Sequence, residues 1–278
     1  MKAVAFAYAR PTTVVAASRL LMEDPGAKVL AGGQTLGPML NLRLVQPTLL
    51  IDITRIADLA RVEETRDAVV LGSCVTHAAI EDGHVPDPTV GILARVAHGI
   101  ASRAVRTRGT IGGSIAHADP VADWLSCLIA LGADVLISGV DGRHEMPLRR
   151  FVSGAMTTSL QAHEIVDAIR IPKLRQAARV GYAKICRKTG EFAEAIGVAV
   201  HDPERNELRL VAGTSESAPI VIDYVSSMLR DRSTATSRPL DREQLRRSLI
   251  AAGHGLDIYK LSVCVSALER AAAEAWRS

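Results

Sequence analysis

The sequence predicts an α+β chain: a small α/β lobe over about residues 1–58, an α+β lobe over 59–173, and a further α+β unit over 174–278. Three observations carry this. The first quarter alternates short apolar runs with helical periods in the order β-α-β-α-β. From about Ala60 that alternation stops. Beyond 174, three consecutive strand patterns precede two or three helices, the order of an antiparallel sheet with its helices to one side.

The elements follow in chain order. Thr12 or Thr13 can cap a helix that runs to about Glu23, where Asp24-Pro25-Gly26 stops it. Residues 27–30 form a short strand ending in Gly32-Gly33, residues 34–42 a helix or helical turn, and 49–53 (LLIDI) a buried strand. Residues 67–72 form a strand, Thr76 caps a helix over 77–82, and 90–101 is helical. Asp119-Pro120 reads as N-cap and first helical residue of a helix reaching Leu131. Strands are expected at 132–138 and 163–171, with a turn at 139–143 and a linker at 174–179. Strands at 180–186, 192–201 and 207–213 then lead to helices that include 241–252 and 263–277. The Arg-rich stretch 230–247 alternates with acids and hydroxyls, as a solvated loop and helix face does.

Composition excludes several classes. Lys+Arg 33 against Asp+Glu 30 is a mixed surface, not a nucleic-acid stripe, although the net +3 suits an anionic ligand. Aromatics are only 3%, so Ala, Val, Ile and Leu fill the core. The four cysteines, at 74, 127, 186 and 264, lie far apart, which excludes clustered zinc or iron–sulfur ligation and fits reduced thiols in a cytoplasmic protein. No secretory leader is expected from the opening MKAVAFAYARP, and no membrane span from a chain without an uncharged apolar run of about 18 residues.

Two glycine segments are the candidate ligand sites. Ala31-Gly32-Gly33-Gln34-Thr35-Leu36 follows a strand, so its backbone N–H groups can form a concave anion site with a helix start behind them. Arg108-Gly109-Thr110-Ile111-Gly112-Gly113-Ser114 offers a second run of N–H groups beside Arg103, Arg106 and Arg108. Asp123, further on, can accept from sugar or ribityl hydroxyls. Together the segments could grip the two phosphates of one dinucleotide. Ordinary turn glycines account equally well for the first, and a strand-to-helix bend with Asp123 at the positive helix end for the second. Neither a Rossmann nor a Walker spacing is present. His77, His117 and Asp119 lack the spacing of a metal site, and there is no G-x-S-x-G elbow.

Three blocks, AGGQTLGPMLNLRL (31–44), RTRGTIGGSIAHADPVAD (106–123) and GYAKICRKTGEFA (181–193), resemble the FAD-binding medium subunit of the carbon monoxide dehydrogenase and xanthine dehydrogenase family of molybdenum hydroxylases. The resemblance covers nearly the whole chain and implies a two-lobed FAD-binding domain of the PCMH (vanillyl-alcohol oxidase-like) type over 1–173. A C-terminal domain of the carbon monoxide dehydrogenase flavoprotein type would cover 174–278. It implies that Ala31, Gly32, Gly33, Gln34, Thr35 and Leu36, with Thr110, Ile111, Gly112, Gly113 and Ser114, hold the FAD pyrophosphate. Asp123 would bind a flavin-nucleotide hydroxyl, Ile100 and Val166 would lie near the flavin or adenine, and Tyr182 and Lys184 would reach the isoalloxazine. The sequence departs from the family pattern at Ser114, where Asn is usual, at Thr35, where Ser is usual, and at Glu191, where Asp is usual.

The resemblance further implies electron transfer without a catalytic acid, base or nucleophile in this chain. Molybdopterin would sit on a large partner subunit and two [2Fe–2S] clusters on a small one, in a dimer of heterotrimers. The organic substrate would be chosen by the large subunit. A free-standing flavoprotein oxidoreductase and a subunit with a vestigial FAD cleft are the alternatives.

Overall fold

The computed structural model describes residues 2–205, 207–222, 240–252 and 255–277. The first lobe is built as expected: β1 (Ala7–Ala9), α1 (Val14–Glu23), β2 (Lys28–Leu30), α2 (Leu36–Asn41) and β3 (Leu49–Asp52). Its strands are parallel in the order β1-β3-β2. Thr13 is the cap of α1, its hydroxyl accepting the Ala16 N–H at 3.2 Å. After the helix, Asp24 accepts the Gly26 N–H at 2.8 Å and turns the chain into β2. Val14, Ala17 and Leu21 on one face of α1 bury against Ile51, Ile53, Ile56 and Leu59.

The second lobe contains β4 (Val62–Glu64), β5 (Ala68–Gly72), α3 (His77–Glu81), α4 (Ile92–His98), α5 (Arg103–Arg108), α6 (Ile111–His117) and α7 (Asp123–Leu131). It continues with β6 (Asp134–Gly139), β7 (Gly142–Pro147), α8 (Leu148–Phe151), the small hairpin β8 (Val152–Gly154) and β9 (Thr157–Thr158), and β10 (Ile165–Pro172). The five longer-range strands form one antiparallel sheet, β4-β5-β10-β6-β7.

The last unit is an antiparallel meander, β11 (Arg179–Ile185), β12 (Ala195–Asp202), β13 (Glu207–Thr214) and β14 (Ile220–Ile222), followed by α9 (Arg242–Ala251) and α10 (Ile258–Arg277). Helix α10 lies so close on one face that a Cβ at Gly181 or Gly197 would meet Ala271 O at 1.8 Å or Ala267 O at 2.3 Å. The other face, through Val198, Ile196 and Val211, shares a core with Trp124, Leu125 and Leu128 of α7. All nine residues of α7 are therefore buried, as a helix between two layers must be. Burying Trp124, Leu125 and Leu128 contributes roughly 1.5–3 kcal/mol each. Arg209 of β13 donates to Ala130 O at 2.8 Å and so covers the carbonyl end of α7.

Several elements differ from the sequence expectation. Asp119 does not cap α7; its carboxylate accepts the Val121 N–H at 3.1 Å in a local turn, and the helix begins at Asp123. The segment 110–117 is helical rather than a glycine bend, because Ile111 and Ile115 are fully buried and packing overrides two glycines. Strand β7 is an exposed edge without apolar alternation, and β4 and β14 are three residues each, so neither pattern nor length announced them. Helix α10 starts at Ile258, five residues before the expected start at 263. Of the Arg-rich stretch, 230–239 lies outside the described residues, and α9 buries Leu245 and Leu249. Among the described residues, no helix is long and apolar enough to cross a membrane.

Candidate functional site

A cleft of about 640 Å³ runs between the first lobe, helices α5 to α7 and the β11–β12 loop. That size lies within the roughly 300–1,000 Å³ of small-molecule and cofactor sites. Its floor starts where β2 ends. Gly33 takes φ +71°, which turns the chain back toward α2. The N–H groups of Gly32, Gly33, Gln34 and Thr35 have no acceptor among the described residues, while the Gln34 amide folds back to donate to Gly32 O at 3.0 Å. Gly32 lies against the facing segment: a Cβ there would be 2.2 Å from Arg108 O.

The second segment works differently from the expected row of amides. From Ile111 to Ser114 its N–H groups are already used, Ile111 on Val75 O at 3.0 Å, Gly112 on Ser73 O at 3.0 Å, Gly113 on the Thr110 hydroxyl at 3.1 Å and Ser114 on Thr110 O at 3.1 Å. Gly112 is needed for space, since a Cβ would be 2.2 Å from Ser73 Cβ. The residues of this segment that line the cleft are Gly109, Thr110, Gly112, Gly113 and Ser114. Two of the three expected basic neighbours are also committed elsewhere. Arg106 binds Glu81 through two nitrogens at 2.7 and 2.9 Å and holds Ile100 O and Ala101 O at 2.9 Å each, and Arg103 pairs with Glu81 and Asp82. Glu81 is held down to about 2, mainly by its bonds from Arg106. None of Arg103, Arg106 and Arg108 lines the cleft.

At one end Asp123 meets the third sheet. Lys184 Nζ is 3.0 Å from both carboxylate oxygens and donates to Gly99 O at 3.2 Å, and the Tyr182 hydroxyl also donates to Asp123. Burial raises the Asp123 carboxyl above its ordinary value against the pull of Lys184 and Tyr182, and it pushes the Tyr182 phenol well up. Ile100 is bridged to Gly190 here, and Phe192, 73% exposed, stands at the rim. Val29, Ile53, Leu160, Ile165 and Val166 add apolar lining, beside Lys28 and Glu164.

Every residue expected from the sequence lines the cleft except Ile111 and Tyr182. Ile111 is fully buried and faces the core, and Tyr182 stands behind Asp123. Both support the cleft from beneath. Residues the sequence did not single out as ligands also line it, among them Ser73, His77, Lys28 and Phe192. Two had a prior signal: His77, weighed and set aside as a metal ligand, and Phe192, an aromatic in a polar segment of a chain with three phenylalanines. His117 and Asp119 line the cleft, but no group of three His, Cys, Asp or Glu side chains able to hold a metal exists among the described residues. All four cysteines are free thiols, and burial pushes Cys74 up to about 11.

This arrangement suits an elongated, anionic, partly apolar molecule. Four consecutive amides without acceptors fit a phosphate. The glycine walls allow close approach, and Ser73 Oγ is buried there without a partner among the described residues. The polar clamp at Asp123 and the apolar lining together fit the polar and aromatic parts of a dinucleotide. The site and the α+β layering thus define a protein that binds an elongated dinucleotide.

Comparison with known proteins gives the family. Residues 4–174 match the FAD binding domain in molybdopterin dehydrogenase. The carbon monoxide dehydrogenase medium chain of Hydrogenophaga pseudoflava is 35% identical over 248 residues, 89% of this chain and 84% of that one. The nicotine 6-hydroxylase medium subunit of Paenarthrobacter nicotinovorans is 34% identical over 216 residues, 77% of this chain and 76% of that one. A solved structure of the Hydrogenophaga pseudoflava carbon monoxide dehydrogenase superposes with a TM-score of 0.89 at 30% identity, covering 100% of this chain and 99% of that one. The chain belongs to the FAD-binding medium subunits of the carbon monoxide dehydrogenase and xanthine dehydrogenase family, and it is an oxidoreductase chain whose cofactor is FAD.

Proposed function

We propose that this chain is the electron-transfer subunit of a heterotrimeric molybdenum hydroxylase. FAD would lie extended in the cleft, with its pyrophosphate on residues 31–35 against 110–114 and its ring toward Lys184 and Phe192. The observation that carries this placement is the set of four amides without acceptors on residues 32–35, directly opposite a glycine wall. When bound, FAD would supply the redox chemistry, taking electrons from [2Fe–2S] clusters on a small partner and yielding them to an external acceptor. The protein's part is to bind and orient it: Lys184 and Tyr182 fix Asp123, Arg106 fixes the 100–101 backbone, and the apolar lining excludes water. A large molybdopterin-binding subunit would carry substrate oxidation, in a cytoplasmic dimer of heterotrimers. The division into an FAD-binding domain (1–173) and a C-terminal domain (174–278) belongs to the same proposal, as does the assignment of the individual ligand residues.

The test is an absorption spectrum of the purified chain, alone and in its co-expressed complex, before and after FAD addition and desalting. Flavin bands near one FAD per chain, released by acid, are expected. The isolated chain should oxidise no organic substrate; such activity without added subunits would refute the assignment. A complex that takes up no flavin would make the cleft vestigial.

A further inference from the structure

One polar group on the cleft wall has no role in the proposal above. His77 begins α3 and is buried, 6% exposed, yet its ring lines the cleft. Its Nδ1 faces the Trp124 indole nitrogen, Nε1, at 3.1 Å. Tryptophan can only donate, so Nδ1 is the acceptor and the proton of the neutral ring sits on Nε2. Burial, aided by the Arg106 charge, pulls the imidazole down to about 4, which leaves it neutral at pH 7. The Nε2 edge lies against Gly109, where a Cβ would be 2.9 Å from Nε2, and the His77 backbone N–H donates to Gly109 O at 2.9 Å. Gly109 directly follows Arg108, whose carbonyl touches Gly32, so the ring stands at the crossing of the two glycine segments.

No described residue accepts a hydrogen bond from Nε2. A metal role fails because no further ligand is near, and a general-base role fails because Nε2 already carries the proton. Nε2–H is thus a fixed, neutral donor on the cleft wall, available to an acceptor that occupies the cleft.

We infer that His77 is a further cofactor-binding residue, its Nε2–H donating to an oxygen of the phosphate–ribityl stretch of FAD, with Trp124 holding the ring in the donor tautomer. This rests on FAD occupying the cleft. The glycine at 109 then has a reason: a side chain there would displace the imidazole. Trp124 acts only through His77 and is a positioning residue.

The experiment uses the full chain, or its complex where the chain alone takes up no flavin. FAD affinity is measured for wild type, His77→Phe, His77→Gln and Trp124→Phe, with thermal unfolding of each FAD-free protein. The wild-type imidazole N–H resonance is followed by NMR through FAD addition. Loss of this hydrogen bond predicts a drop in affinity of about tenfold in His77→Phe. His77→Gln, which keeps an N–H donor, should retain most of the affinity, and Trp124→Phe should lose less than His77→Phe. The wild-type N–H signal should shift on FAD addition. Wild-type affinity in His77→Phe, or an N–H signal indifferent to FAD, overturns the inference while leaving the cleft assignment intact. Should His77→Phe fail to fold, the resonance and the Gln variant still decide. No FAD uptake by the wild-type protein in either form overturns both.

Discussion

Residues 31–35 and 110–114 face each other across the cleft, and both present paired glycines, yet their amides are used in opposite ways. The first segment keeps the N–H groups of residues 32–35 unspent. The second gives its own to Ser73 O, the Thr110 hydroxyl and Thr110 O. One therefore offers hydrogen bonds, and the other offers room. A glycine motif does not by itself say which, because free amides and absent side chains are separate properties.

The sharpest way to break the comparison is to fill the room. Gly112→Val would place Cβ 2.2 Å from Ser73 Cβ and 2.6 Å from Ser73 Cα, and neither atom is the end of a flexible chain. We expect about 3 kcal/mol of destabilisation in chemical denaturation, with FAD uptake lost alongside. Gly32→Ala tests the other side. Its Cβ would press on Arg108 O at 2.2 Å and push the segments apart at the half-exposed rim. FAD affinity should fall about tenfold or more, while the FAD-free melting temperature changes less than in Gly112→Val.

Acid separates the segments by charge. His77 supports the second segment through Gly109, and its pKa is lowered from 6.5 to about 4. Its contribution to stability is full above pH 6.5 and is lost as pH falls through 4. Glu81, lowered from 4.5 to about 2, contributes fully above 4.5 and gives way only as pH falls through 2. Acid denaturation should thus begin with a loss between pH 6.5 and 4 that His77→Gln removes, followed by a second that it leaves. The first segment contains no titratable side chain, so no step should be traceable to it. The smallest effect is expected at Gly37, in α2 beside the first segment, where an added Cβ meets nothing within 4 Å. Gly37→Ala should stabilise by about 0.4–1 kcal/mol in denaturant titration and leave FAD affinity unchanged.

What could be read in the sequence was what local chemistry decides. Thr13 and the Asp24-Pro25-Gly26 stop bounded α1, and the 49–53 run (LLIDI) marked the central parallel strand, which spans Leu49–Asp52. The glycine segments marked a cleft for the same reason: absent side chains are visible in one dimension. Their amide partners were not, since Ser73 lies 39 residues from Gly112 and nothing near either announces the pair. Asp119 shows a true ambiguity. Capping a helix and closing a short turn both use an aspartate accepting an N–H close behind it, and the choice fell to the fixed position of Asp123 between Lys184 and Tyr182. The His77–Trp124 pair, 47 residues apart, is likewise a product of tertiary packing.

Helix α7 between two sheets has one further consequence, which is optical. The chain has two tryptophans. Trp124 touches the cleft wall through His77, whereas Trp276 stacks on His201 with ring centroids 5.3 Å apart, on the α10 helix that covers the opposite face of the third sheet. Indole emission overlaps flavin absorption, so an occupied cleft would dim Trp124 more strongly than Trp276. Replacing Trp276 with Phe would leave Trp124 as the one tryptophan, beside the cofactor, and its emission excited at wavelengths tyrosine does not absorb would gauge cleft filling without an attached dye.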